Sequence, residues 1–434
     1  MLKKIKVKSI ILNDKKEIPV EQFYDDDDGI KLYLTDELHG ALDLLTAYRE
    51  FVHLDKIKIR TDTDEIWTLF DCCYILRKKD RQYIHLYYYS FVENDVDSRN
   101  FLCNKLSAEF EISKSLINRI FSENIDFIVD DIRIKHDVND DNCTIIISST
   151  SVKTYDELFG YFIIYLELLN FIFGYFPKIK AITYFLDDNK IILNEELADK
   201  YISADKYTHR DECFVCNIDN NTFKNAFIKY KLFSKKVELQ INMYFIATMR
   251  KNSYIEIDIV NILQILDGIY DQLSIFENQT EDYCVEMNID IINKIKDMDF
   301  SVINEKYGSD ININERIVKS IERMYKINYG KKLKNMFKFD SYFVFKEEKK
   351  GQKPFIKYGK LIGKCVNSRN KISHVVSIDE CFNAMENAVY IYKFILIFRL
   401  LILQEIDLSN NINKSILNGH ILLINNYIKS YLSK

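Results

Sequence analysis

The hydrophobic pattern of this chain changes period partway along. Up to about Thr154 apolar and polar residues tend to alternate, and beyond it apolar residues recur at three- and four-residue spacing. A period of two belongs to strands and a period near 3.6 to helices, so the pattern restricts the chain to an α+β fold. The expected architecture is a β-rich N-terminal domain followed by an all-α helical bundle. Lys4 to Leu12, Ile30 to Leu34 and Lys56 to Arg60 alternate. Ile66 to Leu76 and Tyr83 to Phe91 are rich in β-branched and aromatic residues, and Cys143 to Ser148 reads as a buried strand. Tyr155 to Tyr175 is a long apolar helix closed by Gly174 and Pro177. A strand-like Ala181 to Leu186 follows, then a Lys-rich amphipathic stretch from Phe223 to Arg250. Tyr254 to Phe276 carries the helical stripe Ile259, Ile262, Leu263, Leu266, Ile269 and Tyr270. Further helical patterns cover Ile311 to Tyr325, Tyr358 to Asn367, Ile378 to Leu403 and Ile412 to Leu432. These divide the chain into a β-rich domain over 1–200, a mixed linking segment over 201–250 and a helical domain over 251–434.

Length and composition agree with that division. At about 100–200 residues per domain, 434 residues make two or three domains. A hydrophobic share of 47% excludes a mainly disordered chain, and 3 Pro with 11 Gly exclude collagen-like sequence. Nine Cys at irregular spacing form no disulfide framework. The N-terminus has no signal-peptide core. The most apolar run, Tyr390 to Leu403, is interrupted by Lys393 and Arg399 and is too short to span a bilayer. A soluble cytoplasmic protein with reduced thiols and no membrane partner is expected. Asp25 to Asp28, before Gly29, reads as an acidic loop without the spaced oxygens of a calcium site.

Charge is uneven. The net charge of −5 argues against a general nucleic-acid binder, yet Lys331 to Lys434 holds 18 Lys/Arg against 8 Asp/Glu, a net of +10. The remaining 330 residues hold 42 against 57, a net of −15. A basic part on an acidic body suits a polyanion, or simply a solvated lysine face.

Within that basic part lies Arg369-Asn370-Lys371-Ile372-Ser373-His374. Histidine titrates near neutrality and moves a proton either way. Arginine remains cationic and offers a donor fork to a phosphate. Asn370 would position a 2′-hydroxyl or orient the imidazole. Those groups suit metal-free RNA cleavage, in which the 2′-hydroxyl is the nucleophile and the protein adds a proton carrier and a phosphate stabiliser. On one continuous helix Arg369 and His374 would point about 140° apart. They converge where the helix ends between them, or where a second copy completes the site. A surface Arg and a packed His is the plain structural alternative.

The segment resembles the R-x-x-x-x-H motif of HEPN domains in the RN form, and more specifically the ApeA-type HEPN proteins of bacterial anti-phage defence. Ile259 to Leu273, with Leu266-Asp267-Gly268, is similar to the first HEPN helix, where the family usually has Leu-Glu. Leu400 to Asp407 resembles the final core helix, and Trp67 to Cys72 resembles a strand signature of the ApeA N-terminal domain. The resemblance implies a metal-independent endoribonuclease without cofactor, acting on RNA (tRNA among the candidates) in antiviral defence. It implies a homodimer with a composite site, Arg369, Asn370 and His374 in the catalytic positions and Asp267 in the acidic first-helix position. A phage-derived trigger would be a further partner.

The basic stretch from Lys331 to Lys371 has 13 Lys/Arg against three acids, interleaved with Tyr329, Phe337, Phe339, Tyr342, Phe343, Phe345 and Phe355. Cations among aromatics suit an RNA backbone with stacked bases. Lys349, Lys350, Lys353, Lys357, Lys364 and Lys371 are its candidate RNA contacts, with inward-packed aromatics as the alternative. Cys213 and Cys216, with His209 before them, invite a zinc reading but lack a fourth ligand. The runner-up function is a non-catalytic HEPN interaction or nucleic-acid-binding module. A zinc-dependent regulator ranks third.

Overall fold

The computed structural model describes residues 7–12, 16–26, 29–34, 52–78, 82–87, 90–92, 102–138, 143–186, 189–195, 213–249, 254–276, 290–299, 301, 306, 316–317, 328–338, 344–370 and 380–433. The protein is α+β, with strands in its N-terminal part and helices in its C-terminal part. The chain divides into two compact units. The first is Met1–Ala204 with Cys216–Ile228, and the second is Asp205–Val215 with Lys229–Lys434.

The first unit holds strands β1 (Val7–Leu12), β2 (Lys16–Asp26), β3 (Gly29–Leu34), β4 (Val52–Thr61), β5 (Ile66–Lys78), β6 (Gln82–Tyr87) and β7 (Ser90–Val92). It continues with β8 (Leu102–Glu111), β9 (Asp126–Val129), β10 (Ile132–Val138), β11 (Cys143–Thr154), β12 (Lys178–Leu186) and β13 (Asn189–Glu195). The sheet order is β4-β1-β2-β3-β6-β5-β7-β13-β12-β8-β11-β10-β9, and β4 also pairs with β5. That extra pairing closes six strands into a ring in which each has two neighbours, so none of the six is left as an unpaired edge. Asp25 and Asp26 belong to β2, paired to Ile30 and Gly29, while Asp27 and Asp28 lie outside the described residues. Tyr83 to Phe91, read as one strand, falls into β6 and β7.

Alternation explains the burial. Along β10, Ile132, Ile134 and His136 are buried while Arg133, Lys135 and Asp137 are exposed. The helix Tyr155–Phe173 covers β8 and β11. Thr154 and Glu157 form a capping box at its start. Gly174 ends it at φ 87°, the left-handed geometry that a Cβ would strain. Tyr165 from this helix shares a hydrogen bond with the Nε2 of His136. Burial pushes the His136 imidazole down to about 3, so it is neutral in the fold.

The second unit is organised around Ala384–Glu405, a 22-residue helix buried through most of its length. A helix apolar on all sides belongs inside a bundle. It packs against Ile255–Tyr270 and Lys414–Leu432. Its two interior cations have partners there. The Lys393 ammonium lies 2.6 Å from the Glu348 carboxylate, and the Arg399 guanidinium lies 4.1 Å from the ring centre of Phe214. The sequence places this helix from Ile378. Residues 378–379 lie outside the described residues, and the described helix begins at Ala384, where Asn383 and Glu386 form a capping box. Phe223 to Arg250, read as one stretch, is two helices, Asn220–Lys236 and Glu238–Met249. The Ile311 to Tyr325 pattern lies outside the described residues apart from 316–317.

Candidate active site

Three helices of the second unit converge on Arg369: its own, Tyr358–Asn370, together with Ile255–Tyr270 and Tyr329–Lys338. Gly330 faces the motif helix, where a Cβ would make ordinary contacts at 3.6 Å with Val366 and 3.8 Å with Ile362. Apolar residues Leu263, Leu266, Leu333, Leu361 and Cys365 are buried in the same bundle. They leave the polar side chains of the last turns together at one end.

There, Arg369 Nη2 donates to Asp267 Oδ2 at 2.8 Å and Nη1 donates to Asn370 Oδ1 at 2.9 Å. The guanidinium also lies 5.6 Å from the ring centre of Tyr329. Tyr329 is fixed in turn, because its hydroxyl donates to the Leu263 carbonyl at 2.9 Å. Burial drives its phenol well above the ordinary range, so it stays protonated. The structure therefore brings Arg369, Asn370 and Asp267 together. His374 and Lys371 lie outside the described residues.

Sequence reasoning missed the second cation. Lys332 Nζ lies 2.6 Å from Asp271 Oδ2 and 3.3 Å from Asp267 Oδ1, with only 10% of its side chain exposed. The signal was present: Asp267 and Asp271 are like charges one helical turn apart, an arrangement that destabilises a helix unless a cation bridges it. Arg369 retains 38% side-chain exposure, so solvent, or a ligand, has access to it.

The chain that returns from the motif is tied to the same helix. Ser368 Oγ accepts from the Phe382 amide at 2.9 Å, and Asn367 Nδ2 donates to the Glu380 carbonyl at 3.4 Å. Lys364 Nζ donates to the Cys381 carbonyl at 2.9 Å and to Glu386 Oε2 at 2.6 Å. Lys364 is 7% exposed, which removes it from the candidate RNA contacts: its ammonium is spent inside the protein.

The other lysines of the basic stretch differ from it. Lys350, Lys353 and Lys357 are exposed, and Lys349 is exposed but donates to the Phe337 carbonyl at 2.6 Å. Of the interleaved aromatics, the described phenylalanines are packed inward and offer no stacking surface. Phe337, Phe345 and Phe355 are buried, with the Phe337 and Phe345 ring centres 4.1 Å apart and both near Phe394. Phe339, Tyr342 and Phe343 lie outside the described residues. Cys213 is buried and its thiol donates to the Val215 carbonyl, Cys216 is half-buried, and His209 lies outside the described residues. Among the described residues no group of three or more His, Cys, Asp or Glu stands in a geometry that would hold a metal ion.

No protein-family model, curated protein or solved structure matches the chain. Among the described residues no helix is long and apolar enough to cross a membrane.

Proposed function

We propose that the second unit is a HEPN-type, metal-independent endoribonuclease, an ApeA-like effector of anti-phage defence working in the cytoplasm as a homodimer. The observation that carries this reading is the meeting of Arg369, Asn370 and Asp267, residues 102 positions apart in sequence for the ion pair, at one half-exposed bundle end. Arg369 stabilises the charge that develops on the phosphate. The His374 imidazoles of two facing motifs divide the proton transfers, one taking a proton from the 2′-hydroxyl and the other giving one to the leaving 5′-oxygen. Asn370 and Tyr329 hold the guanidinium in place, and Asp267 fixes its direction. Exposed Lys350, Lys353 and Lys357 lend a positive surface for the RNA backbone.

The test is cleavage of total RNA or tRNA by the purified protein in the presence of EDTA. The expected products carry 2′,3′-cyclic phosphate and 5′-hydroxyl ends, DNA is left intact, and His374→Ala abolishes cleavage. Products with 5′-phosphates, inhibition by the chelator, or full activity in His374→Ala refute it. RNA binding without cleavage would instead favour the interaction-module reading.

A further inference from the structure

The acidic pair beside Arg369 poses an electrostatic problem. A guanidinium meant for a phosphate is paired with Asp267, and Asp271 follows one turn later on the same helix. Two carboxylates facing one arginine would leave the site net negative and repel RNA. The Lys332 ammonium sits between them, 3.3 Å from Asp267 and 2.6 Å from Asp271, and also approaches the Asp267 carbonyl at 3.5 Å. The ammonium also lies 5.6 Å from the ring centre of Tyr270, and Asn335 Nδ2 donates to the Tyr270 hydroxyl at 2.8 Å. With 10% of its side chain exposed, against 38% for Arg369, Lys332 is turned toward the carboxylates rather than toward solvent.

We propose that Lys332 is a positioning residue that balances the Asp267–Asp271 pair, so that Arg369 shares one carboxylate only and keeps positive charge available for an RNA phosphate. The inference rests on the ribonuclease reading of Arg369 but concerns a residue on a different helix. Two carboxylates, one lysine and one arginine sum to zero. Removing the lysine leaves −1 around the guanidinium. Removing Asp271 along with it restores zero.

That arithmetic supplies the test. Lys332→Met should lower kcat/KM for RNA by about tenfold, part of the loss expected when an oxyanion stabiliser is weakened. Asp271→Asn should cleave at least as fast as the parent. Lys332→Met/Asp271→Asn should recover to within about threefold of the parent. If Lys332 touched RNA directly, the double variant would remain as slow as Lys332→Met, and that result overturns the proposal. A second readout needs no catalysis: the rate at which phenylglyoxal modifies Arg369, followed by peptide mass spectrometry. The reagent attacks the unprotonated guanidine, so added negative charge slows it. Arg369 should react several-fold more slowly in Lys332→Met, faster in Asp271→Asn, and at the parental rate in the double variant. Equal rates in all four proteins refute the charge balance. If the parent cuts no RNA, the ribonuclease reading fails while the modification rates still decide the role of Lys332. If Lys332→Met does not fold, the Asp271→Asn arm decides it.

Discussion

Lys393 and Glu348 form an ion pair with no exposed side-chain surface on either partner, 2.6 Å apart, in the centre of the helical unit. The ammonium is flanked by the rings of Phe345 and Phe355 at 5.5 and 5.3 Å. Burial pushes the Glu348 carboxyl above its ordinary range, and Lys393 opposes that shift. Removing one member strands the other charge in a dry core at a cost of about 3–5 kcal/mol, whereas replacing both by apolar groups is roughly neutral or stabilising. Lys393→Met alone should therefore lower the stability of the helical unit by about 4 kcal/mol, and Lys393→Met/Glu348→Leu should recover most of it. With an m-value of about 2 kcal/mol per molar urea, the single variant moves the midpoint by about 2 M. The chain provides its own control. Its one tryptophan, Trp67, is buried in the first unit, so its fluorescence follows that unit. Circular dichroism at 222 nm follows mainly the second unit, which holds most of the described helical residues, with a smaller part from Tyr155–Phe173 of the first. Only the helical transition should move. Lys8→Met, which breaks an exposed, solvent-screened pair with Asp64, should leave both transitions essentially where they are in the parent. A loss below about 1 kcal/mol in Lys393→Met, or a double variant no more stable than the single, refutes the burial argument.

Three further outcomes follow. Because His136 is held neutral with its pKa depressed to about 3, its contribution to stability is present above about pH 6.5 and is lost as pH falls toward 3. Between pH 7 and 5 that is about 2 kcal/mol, read as a shift of the Trp67 urea midpoint, and a His136→Gln protein with the same pH slope would contradict it. Arg369→Lys should restore only part of the activity lost in Arg369→Ala, because an ammonium cannot donate to Asp267 and Asn370 at once with the guanidinium geometry; full rescue in a cleavage assay would show that a point charge suffices. Replacing Lys350, Lys353 and Lys357 together by Ala should flatten the log–log salt dependence of RNA binding by about two and leave the fold intact, and an unchanged slope would place the RNA elsewhere.

Local rules carried the reading of the fold where the determinants were local. The change of period near Thr154 marks the start of the helix Tyr155–Phe173, although β12 and β13 still follow it, and Gly174 marks a helix end that the structure keeps. The described helix begins at the capping box Asn383/Glu386, six residues after the expected start at Ile378. What was not legible depended on partners far along the chain. Lys364 reads as a surface cation until Glu386 is known to be 2.6 Å away. Phe337, Phe345 and Phe355 read as base-stacking groups among lysines, yet all three are buried, Phe337 and Phe345 against Phe394 and Phe355 beside the Lys393 ammonium. Lys332 is 65 residues from Asp267, and no periodicity links the two.

The same limit bears on whether one chain or two make the site. Four residues of chain lead from Asn370 to His374, at most about 14 Å of backbone. Reach alone therefore does not demand a second copy. The demand is chemical: cleavage needs a proton taken from the 2′-hydroxyl and one given to the 5′-oxygen, and each motif offers a single imidazole. If two facing motifs share those steps, one defective subunit disables the pair. Co-expression of differently tagged parent and His374→Ala chains in equal amounts leaves about a quarter of the pairs with two intact motifs. Activity per total protein should then fall to about a quarter of the parental value, and pairs purified through both tags should be inactive. A fall to only about half, with active mixed pairs, would assign each chain its own complete site and remove the chemical argument for the dimer.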